Sequence, residues 1–219
     1  MLATYVPKQK IKYFRRAILK WGRHNFSDFP WRYTSNMWHA LVAELMLQRT
    51  KAEQVLPVYL QFCKNYPLPQ DYLSTNSSPF ESLGLRWREN NLNRLASILS
   101  NQQIPFDKVK LLELPGIGDY IASAFLSLHS GIRSPIIDSN VVRLYGRFLG
   151  FPTNSETRRK GWFIQLSEDI TPRRVFKDFN YGVIDFTRIV CRPRPLCSEC
   201  VLAEKCAYYR ELNGLFVSS

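Results

Sequence analysis

The sequence predicts an all-α protein, and three observations lead to that fold class. Apolar residues recur at spacings of three and four along most of the chain, as they do on the buried face of an α-helix. No segment shows the clean alternation of apolar and polar residues that is typical of a half-buried strand. Prolines and short polar clusters separate the helical stretches without any long linker. We therefore expect helices that pack closely, with no independent modules.

The predicted helices follow one another from the N-terminus to a cysteine-rich tail, each bounded by proline, glycine or polar residues. In the first half they run from Lys8 to His24, Asn36 to Thr50, Lys51 to Tyr66, Trp87 to Asn101 and Phe106 to Leu114. In the second half they run from Asp119 to Ser130, Ser139 to Gly150, Glu156 to Ser167 and Asp178 to Val190. We expect residues 34–134 to form a helical barrel lobe, and residues 1–33 and 135–219 to form the other lobe.

The composition indicates a folded, basic protein. Of its 219 residues 45% are apolar, which is ordinary for a globular chain and excludes a disordered one. Thirty Lys and Arg against 18 Asp and Glu give a net charge of +12, which suits nucleic acid but is also compatible with an indifferent basic surface. Neither a signal-peptide pattern nor an apolar run of membrane-spanning length occurs. We expect a cytoplasmic protein with no membrane partner.

Four of the five cysteines lie within sixteen residues near the end of the sequence, and Cys63 stands alone. Cys191, Cys197, Cys200 and Cys206 have the spacing C-x5-C-x2-C-x5-C. Such clustering predicts a metal site rather than disulfides. Four thiolates can hold a [4Fe-4S] cluster or a structural zinc ion, and the spacing alone leaves both open.

The segment from Leu114 to Gly118 reads Leu-Pro-Gly-Ile-Gly and lies between two predicted helices. Gly116 and Gly118 allow a tight turn whose backbone N–H groups point outward at the start of the second helix. Such a turn can hold a phosphate whatever the base sequence. The alternative is a plain connection between two helices. We expect Asp119 to cap the second helix.

Glu44 lies in the apolar run from Trp38 to Leu47, inside a predicted helix. A carboxylate there is unfavourable unless it is paired or protonated, and a buried carboxyl group that favours the protonated form suits a general acid. The alternative is that Glu44 lies on the one solvent-exposed stripe of this helix.

Asp138 follows the apolar run Pro135-Ile136-Ile137 and precedes a helical pattern that begins at Ser139. This position predicts an N-cap, whose carboxylate accepts backbone N–H bonds. An anion fixed in this way can stabilise a developing cation or orient a water molecule, although most such residues are only caps. Glu44 and Asp138 would divide the roles of acid and anion.

Several segments, taken together, identify a family. They are Phe29-Pro30-Trp31-Arg32, Glu44 to Thr50, Leu114 to Tyr120, Ile137 to Arg143 and the four clustered cysteines. Over nearly its whole length the chain resembles the helix-hairpin-helix DNA glycosylases, which include endonuclease III, the MutY adenine glycosylases and the archaeal thymine-DNA mismatch glycosylases. The resemblance is closest to the thymine branch, in Asp28 to Arg32, Asp178-Phe179-Asn180, Asp185-Phe186 and Cys206 to Tyr209.

The resemblance implies a two-lobed helical fold with the hairpin at about residues 106–130 and an iron-sulfur cluster loop at about residues 191–206. It favours [4Fe-4S] over zinc, although the first cysteine spacing has five intervening residues where the family usually has six. The implied partner is double-stranded DNA that contains a mispaired or damaged base, and we expect a monomer. Leu114, Gly116 and Gly118 would contact the DNA backbone, and Gln48 and Arg49 would wedge into the duplex.

The resemblance also implies an activity. Asp138 matches the catalytic aspartate and Glu44 the glutamate shared by the mismatch and adenine branches, while Tyr120 stands where endonuclease III has its Schiff-base lysine. This predicts a monofunctional glycosylase that excises thymine or uracil opposite guanine. The first alternative is a MutY-like enzyme acting on adenine opposite guanine or 8-oxoguanine, which the expected lack of a C-terminal recognition module after Cys206 disfavours. The second is a non-catalytic DNA-binding module.

Overall fold

The structure of the protein is a computed structural model that describes residues 6–75, 78–84 and 86–214, with only the backbone of residues 86 and 87. Within these ranges the chain forms helices and no strands, which confirms the predicted all-α class. The α-helices are α1 (Lys8–His24), α2 (Met37–Met46), α3 (Ala52–Asn65), α4 (Pro69–Leu73), α5 (Arg86–Leu99), α6 (Lys108–Leu112), α7 (Asp119–Ala124), α8 (Ser139–Leu149), α9 (Gly161–Ile170), α10 (Phe176–Ile189) and α11 (Ala207–Leu212). Across the described ranges no helix is both long and apolar enough to span a membrane.

The chain divides into two compact units. The central unit is Asp28–Ile132, and the terminal unit joins the described residues of Met1–Ser27 to those of Arg133–Ser219. Each unit has its own apolar core, so each can position functional side chains on a rigid support.

Helix α2 runs through the core of the central unit. Asn36 begins it by accepting the backbone N–H of His39 on its side-chain oxygen, at 3.1 Å. Every residue from Trp38 to Met46 is buried. A helix that is apolar on all sides must be enclosed by other elements, and α3, α7 and the segment after α7 pack against α2.

Helices α1 and α10 pack closely in the core of the terminal unit. Phe14 and Ile18 of α1 are fully buried there, and Phe179 of α10 stands edge-on to Phe14. Two glycines allow this approach: a Cβ atom on Gly22 would lie 3.3 Å from the Cα atom of Gly182. Side chains at these positions would push the two helices apart.

Several predicted helix bounds are wrong, each for a local reason. The helix predicted over 36–50 ends at Met46, since Arg49 has a left-handed backbone with φ of 59°. The helix predicted over 156–167 begins at Gly161, because Asn154 and Thr157 form a side-chain-bonded turn that leads into a 3-10 helix, Thr157–Arg159. The short helices α4 and α11 were not predicted.

The helices flanking the Leu114–Gly118 turn are also shorter than predicted. Helix α6 begins only at Lys108, where Asp107 accepts the backbone N–H of Lys110 at 3.1 Å. Helix α7 ends at Ala124 and continues as a π-helix, Phe125–His129, in which the N–H of Ser130 bonds the carbonyl of Phe125 at 3.1 Å. A bond from residue i+5 to residue i defines a π-helix. Such helices are rare in proteins, and those that occur are often found at functional sites.

Candidate active site

Glu44 lies on the fully enclosed part of α2 and is only 2% exposed. The alternative that placed it on a solvent-exposed stripe is therefore wrong. Its Oε1 lies 2.9 Å from Nε2 of His129, whose side chain is 1% exposed. A buried carboxyl group needs such a partner, because leaving it unpaired away from water costs about 1–3 kcal/mol, and more if the group is charged.

His129 was not identified in the sequence analysis. The sequence feature that could have identified it is its position as a single titratable residue directly after the apolar run from Phe125 to Leu128. The π-helix aims this residue at α2, and the ring of Phe125 lies 6.3 Å from the imidazole ring.

Two tyrosines belong to the same unit as Glu44. Tyr120 is the second residue of α7 and packs half-buried against the apolar core of this unit. Burial raises the pKa of Tyr59 in α3, and its hydrogen bond with Cys63 and the nearby Glu44 carboxyl group act in the same direction. Tyr59 therefore stays a neutral phenol near the Glu44 carboxyl group.

The Leu114–Gly118 segment forms the expected tight turn between α6 and α7. Gly116 has φ of 80°, a left-handed backbone that favours glycine, and Gly118 is the N-cap of α7. Both glycines are exposed, whereas Leu114 and Ile117 are buried and anchor the turn in the core. The burial of Leu114 leaves its backbone rather than its side chain for a contact with DNA.

The expected capping role of Asp119 is wrong. Gly118 is the N-cap of α7 and makes no side-chain capping bond. Asp119 lies one position later in the first turn, and its carboxylate is 3.2 Å from the Nζ atom of Lys108. This exposed ion pair joins the start of α7 to the start of α6.

Gln48 and Arg49 form the turn that follows α2. Gln48 is half-buried, and Arg49 is exposed with its left-handed backbone. The buried guanidinium of Arg88 donates from one nitrogen to the carbonyls of Leu45 and Gln48, both at 2.9 Å. Arg88 therefore ties the end of α2 to this turn, a contact that sequence reasoning missed because the residues are about forty positions apart.

Asp138 is the N-cap of α8, as predicted. Its Oδ1 accepts the backbone N–H of Val141 at 2.7 Å, and its Oδ2 accepts the side-chain amide of Asn140 at 2.8 Å. Arg143 donates to the Oδ1 of Asn140 at 2.8 Å and also to the carbonyl of Cys191 at 3.0 Å. These bonds fix the Asp138 carboxylate and connect its support to the cysteine loop.

The four clustered cysteines are free thiols that line one small cavity in the terminal unit. Arg147 of α8 holds this loop by donating to the carbonyls of Arg192 at 2.8 Å and Pro193 at 2.9 Å. Among the residues described, no group of three or more His, Cys, Asp or Glu side chains is arranged to hold a metal ion.

Burial raises the pKa of Cys200 to about 11 and also raises the pKa values of Cys197 and Cys206. Protons would therefore have to leave when a metal group binds, because thiolates and not thiols are the ligands. The four cysteines line one cavity, and their number and chemistry match a group with four thiolate ligands, although their side chains are not arranged around a metal ion.

No protein-family model matches the chain. Relatives do. The chain is 36% identical to the thymine-DNA glycosylase of Aeropyrum pernix over 94% of its own length and 98% of that protein. It is 32% identical to the thymine/uracil-DNA glycosylase of Methanothermobacter thermautotrophicus over 94% of its own length and 97% of that protein. The chain belongs to the helix-hairpin-helix DNA glycosylases, as a member of their thymine/uracil branch.

The fold of this glycosylase is that of its relatives. A solved thermostable thymine-DNA glycosylase, 32% identical, superposes with a TM-score of 0.86 over 93% of this chain and 98% of that one. The glycosylase is an enzyme that hydrolyses N-glycosyl bonds, and it binds DNA. The non-catalytic alternative is thereby excluded.

The adenine branch is a more distant match. The adenine DNA glycosylase of Buchnera aphidicola is 31% identical over 92% of this chain, but the match covers only 61% of that protein. The thymine/uracil relatives are matched from end to end, so the comparison favours their branch over the adenine branch.

Proposed function

We propose that this glycosylase removes thymine or uracil mispaired with guanine from duplex DNA, without cleaving the strand. The observation that carries the proposal is the similarity over nearly the full length to relatives named thymine-DNA and thymine/uracil-DNA glycosylases. Tyr120 supports the second part, since by the family resemblance it matches the position of the Schiff-base lysine of endonuclease III. A phenol there offers no amine to attack the sugar and start strand cleavage.

The hairpin and the turn after α2 would hold and open the DNA. The exposed backbone of Gly116 and Gly118 would bind a phosphate, which fixes position without reading sequence. Gln48 and Arg49 would enter the duplex as the target nucleotide leaves the stack, supported by the Arg88 bonds to the same turn. Flipping is least unfavourable at a mispair, so this step itself contributes selectivity.

The two carboxyl groups would divide the chemistry. As the bond between the base and the sugar breaks, Glu44 would donate a proton to the departing base, directly or through water, with Tyr120 lining the pocket. Asp138 would support the oxocarbenium-like sugar while water adds at the same carbon atom. The enclosed position of Glu44 and the two hydrogen bonds on Asp138 support this division.

A single-turnover assay tests the proposal. Duplexes would carry T:G, U:G, A:G, A:8-oxoguanine or an undamaged pair, each with and without alkaline treatment. We expect excision of T and U opposite G, with strand breaks only after alkali. Excision of A alone would show that the enzyme is an adenine glycosylase. Strand breaks without alkali would contradict the monofunctional mechanism.

We further propose that Cys191, Cys197, Cys200 and Cys206 hold a [4Fe-4S] cluster. When bound, the cluster would cross-link the loop of residues 191–206 and have a structural role, because glycosidic hydrolysis moves no electrons. The purified protein should be yellow-brown and contain iron and sulfide, and Cys200→Ser should reduce both. Cys63→Ser is the matched control and should keep the colour, since Cys63 lies in the other unit. A colourless protein with stoichiometric zinc would overturn this assignment.

A further inference from the structure

Glu44 and His129 form a polar pair beside the apolar core of the central unit. Their side chains are 3% and 1% exposed, and Nε2 of His129 lies 2.9 Å from Oε1 of Glu44. The residues are 85 positions apart in sequence, so the fold and not the local chain brings them together. A hydrogen bond between two side chains this little exposed is stronger than one in water, which favours a fixed geometry.

The π-helix determines where the imidazole points. Its wider turn carries His129 toward α2, and the segment ends where the Oγ of Ser130 donates to the carbonyl of Phe125 at 3.1 Å. The centre of the Phe125 ring lies 6.3 Å from that of the imidazole and 6.2 Å from that of the Phe106 ring, on which it stacks. The ring of His129 is thus held by packing as well as by its hydrogen bond.

The proposed step uses the neutral imidazole tautomer that carries its proton on Nε2, which donates to Oε1 across the 2.9 Å contact and occupies that oxygen. The proton that a general acid transfers must then be carried by the other oxygen, Oε2. Fixing Oε1 therefore selects the reactive oxygen and its direction. Without the imidazole, the carboxyl group could rotate about its side-chain bonds and present either oxygen.

We propose that His129 is a positioning residue for proton transfer, which holds Oε1 of Glu44 so that Oε2 faces the departing base. This inference rests on the proposed role of Glu44 as the proton donor. The test therefore separates the orientation of Glu44 from the folding of the protein.

The test measures the single-turnover excision rate and the Kd for a U:G duplex in parallel. His129→Leu should slow excision by about 10- to 100-fold, the scale expected when a catalytic group is misplaced by about 1 Å, and should leave Kd within about twofold. His129→Gln should recover much of the rate, since its amide N–H can donate to Oε1. His39→Gln is the matched control: His39 is a buried histidine of α2 whose Nε2 bonds the carbonyl of Tyr66 at 2.9 Å, and its change should leave the rate unaltered.

A double-mutant cycle completes the test. If His129 acts through Glu44, the His129→Gln or His129→Leu substitution should change the rate by less than about twofold in a Glu44→Gln background. Equal slowing in both backgrounds, or a wild-type rate for His129→Leu, would overturn the inference. If His129→Leu does not fold by circular dichroism, His129→Ala takes its place in the cycle, because it also removes the donor to Oε1. A wild-type enzyme without U:G activity, or a fully active Glu44→Gln variant, would instead refute the proposed function.

Discussion

Asp138 and Glu44 show how one side-chain type is given two roles by its surroundings. Asp138 is half-buried at a helix start and accepts hydrogen bonds on both oxygens. Glu44 is enclosed in an apolar helix, and one of its oxygens is hydrogen-bonded to His129. Fixed donors favour a stationary anion, whereas an apolar enclosure suits a group that gains and loses a proton.

Replacing Asp138 by Asn should separate catalysis from binding. Asn is as good an N-cap as Asp and can still accept the Val141 N–H, so the start of α8 should persist. The lost negative charge should lower the excision rate by about 100-fold or more, as the loss of a transition-state electrostatic contact does. Single-turnover rates and Kd for a U:G duplex check this.

The control for Asp138→Asn is Asp71→Asn. Asp71 also accepts a backbone N–H with its carboxylate, that of Leu68 at 2.8 Å, near the start of α4. The same chemical change there should leave the excision rate unaltered. Full activity of the Asp138 variant would remove Asp138 from the proposed mechanism.

At the scale of elements, the hairpin depends on the backbone of one glycine. Gly116 has φ of 80°, and a Cβ atom there would lie 3.2 Å from the Cβ of Asn91. We expect Gly116→Ala to lower the free energy of unfolding by about 1–2 kcal/mol, because a left-handed backbone is unfavourable for a residue with a Cβ atom. Urea denaturation followed by circular dichroism measures this.

Gly118→Ala is the matched change in the same turn. Gly118 has φ of −102°, and a Cβ atom there would meet nothing within 4 Å. The free energy of unfolding of the Gly118→Ala variant should therefore differ from that of the wild type by less than about 0.5 kcal/mol, as for an ordinary surface substitution. Equal losses at the two glycines would show that the turn does not depend on the left-handed backbone of Gly116.

Local patterns predicted the elements whose causes are local. Helix α1 has the predicted bounds, since its apolar spacing and its limits are written in neighbouring residues. The Asp138 cap was also predictable, because a cap and the N–H it accepts are three residues apart. The helix start at Gly161 was missed, since it depends on the side-chain bonds between Asn154 and Thr157 that hold a turn ahead of the helix.

The candidate site was predictable only in part, because some of its contacts join residues that are far apart in the sequence. The apolar run around Glu44 predicted an enclosed carboxyl group, but not its partner. His129 and Arg88 act on α2 from 85 and about forty residues away, and one sequence contains no rule that pairs residues at such distances. The π-helix that orients His129 also replaces a regular helix without any proline or glycine to mark it.

At the scale of the whole molecule, the net charge of +12 belongs to a protein whose ligand is a polyanion. Basic side chains near DNA displace counterions from the phosphates, and that release adds to affinity whatever the base sequence. The mispair adds a second contribution through flipping, which does not depend on charge. The two contributions should therefore respond differently to salt.

A salt titration separates these two contributions. We expect log Kd to rise linearly with log salt concentration, and a footprint of six phosphates would give a slope of about 5. A U:G duplex and an undamaged duplex of the same length should give parallel lines, because the phosphate contacts are shared, with the U:G line displaced toward tighter binding. The Asp138→Asn variant allows both duplexes to be measured without turnover. A flat response would contradict a phosphate-tracking basic surface, and lines that converge at high salt would show that recognition of the mispair is itself electrostatic.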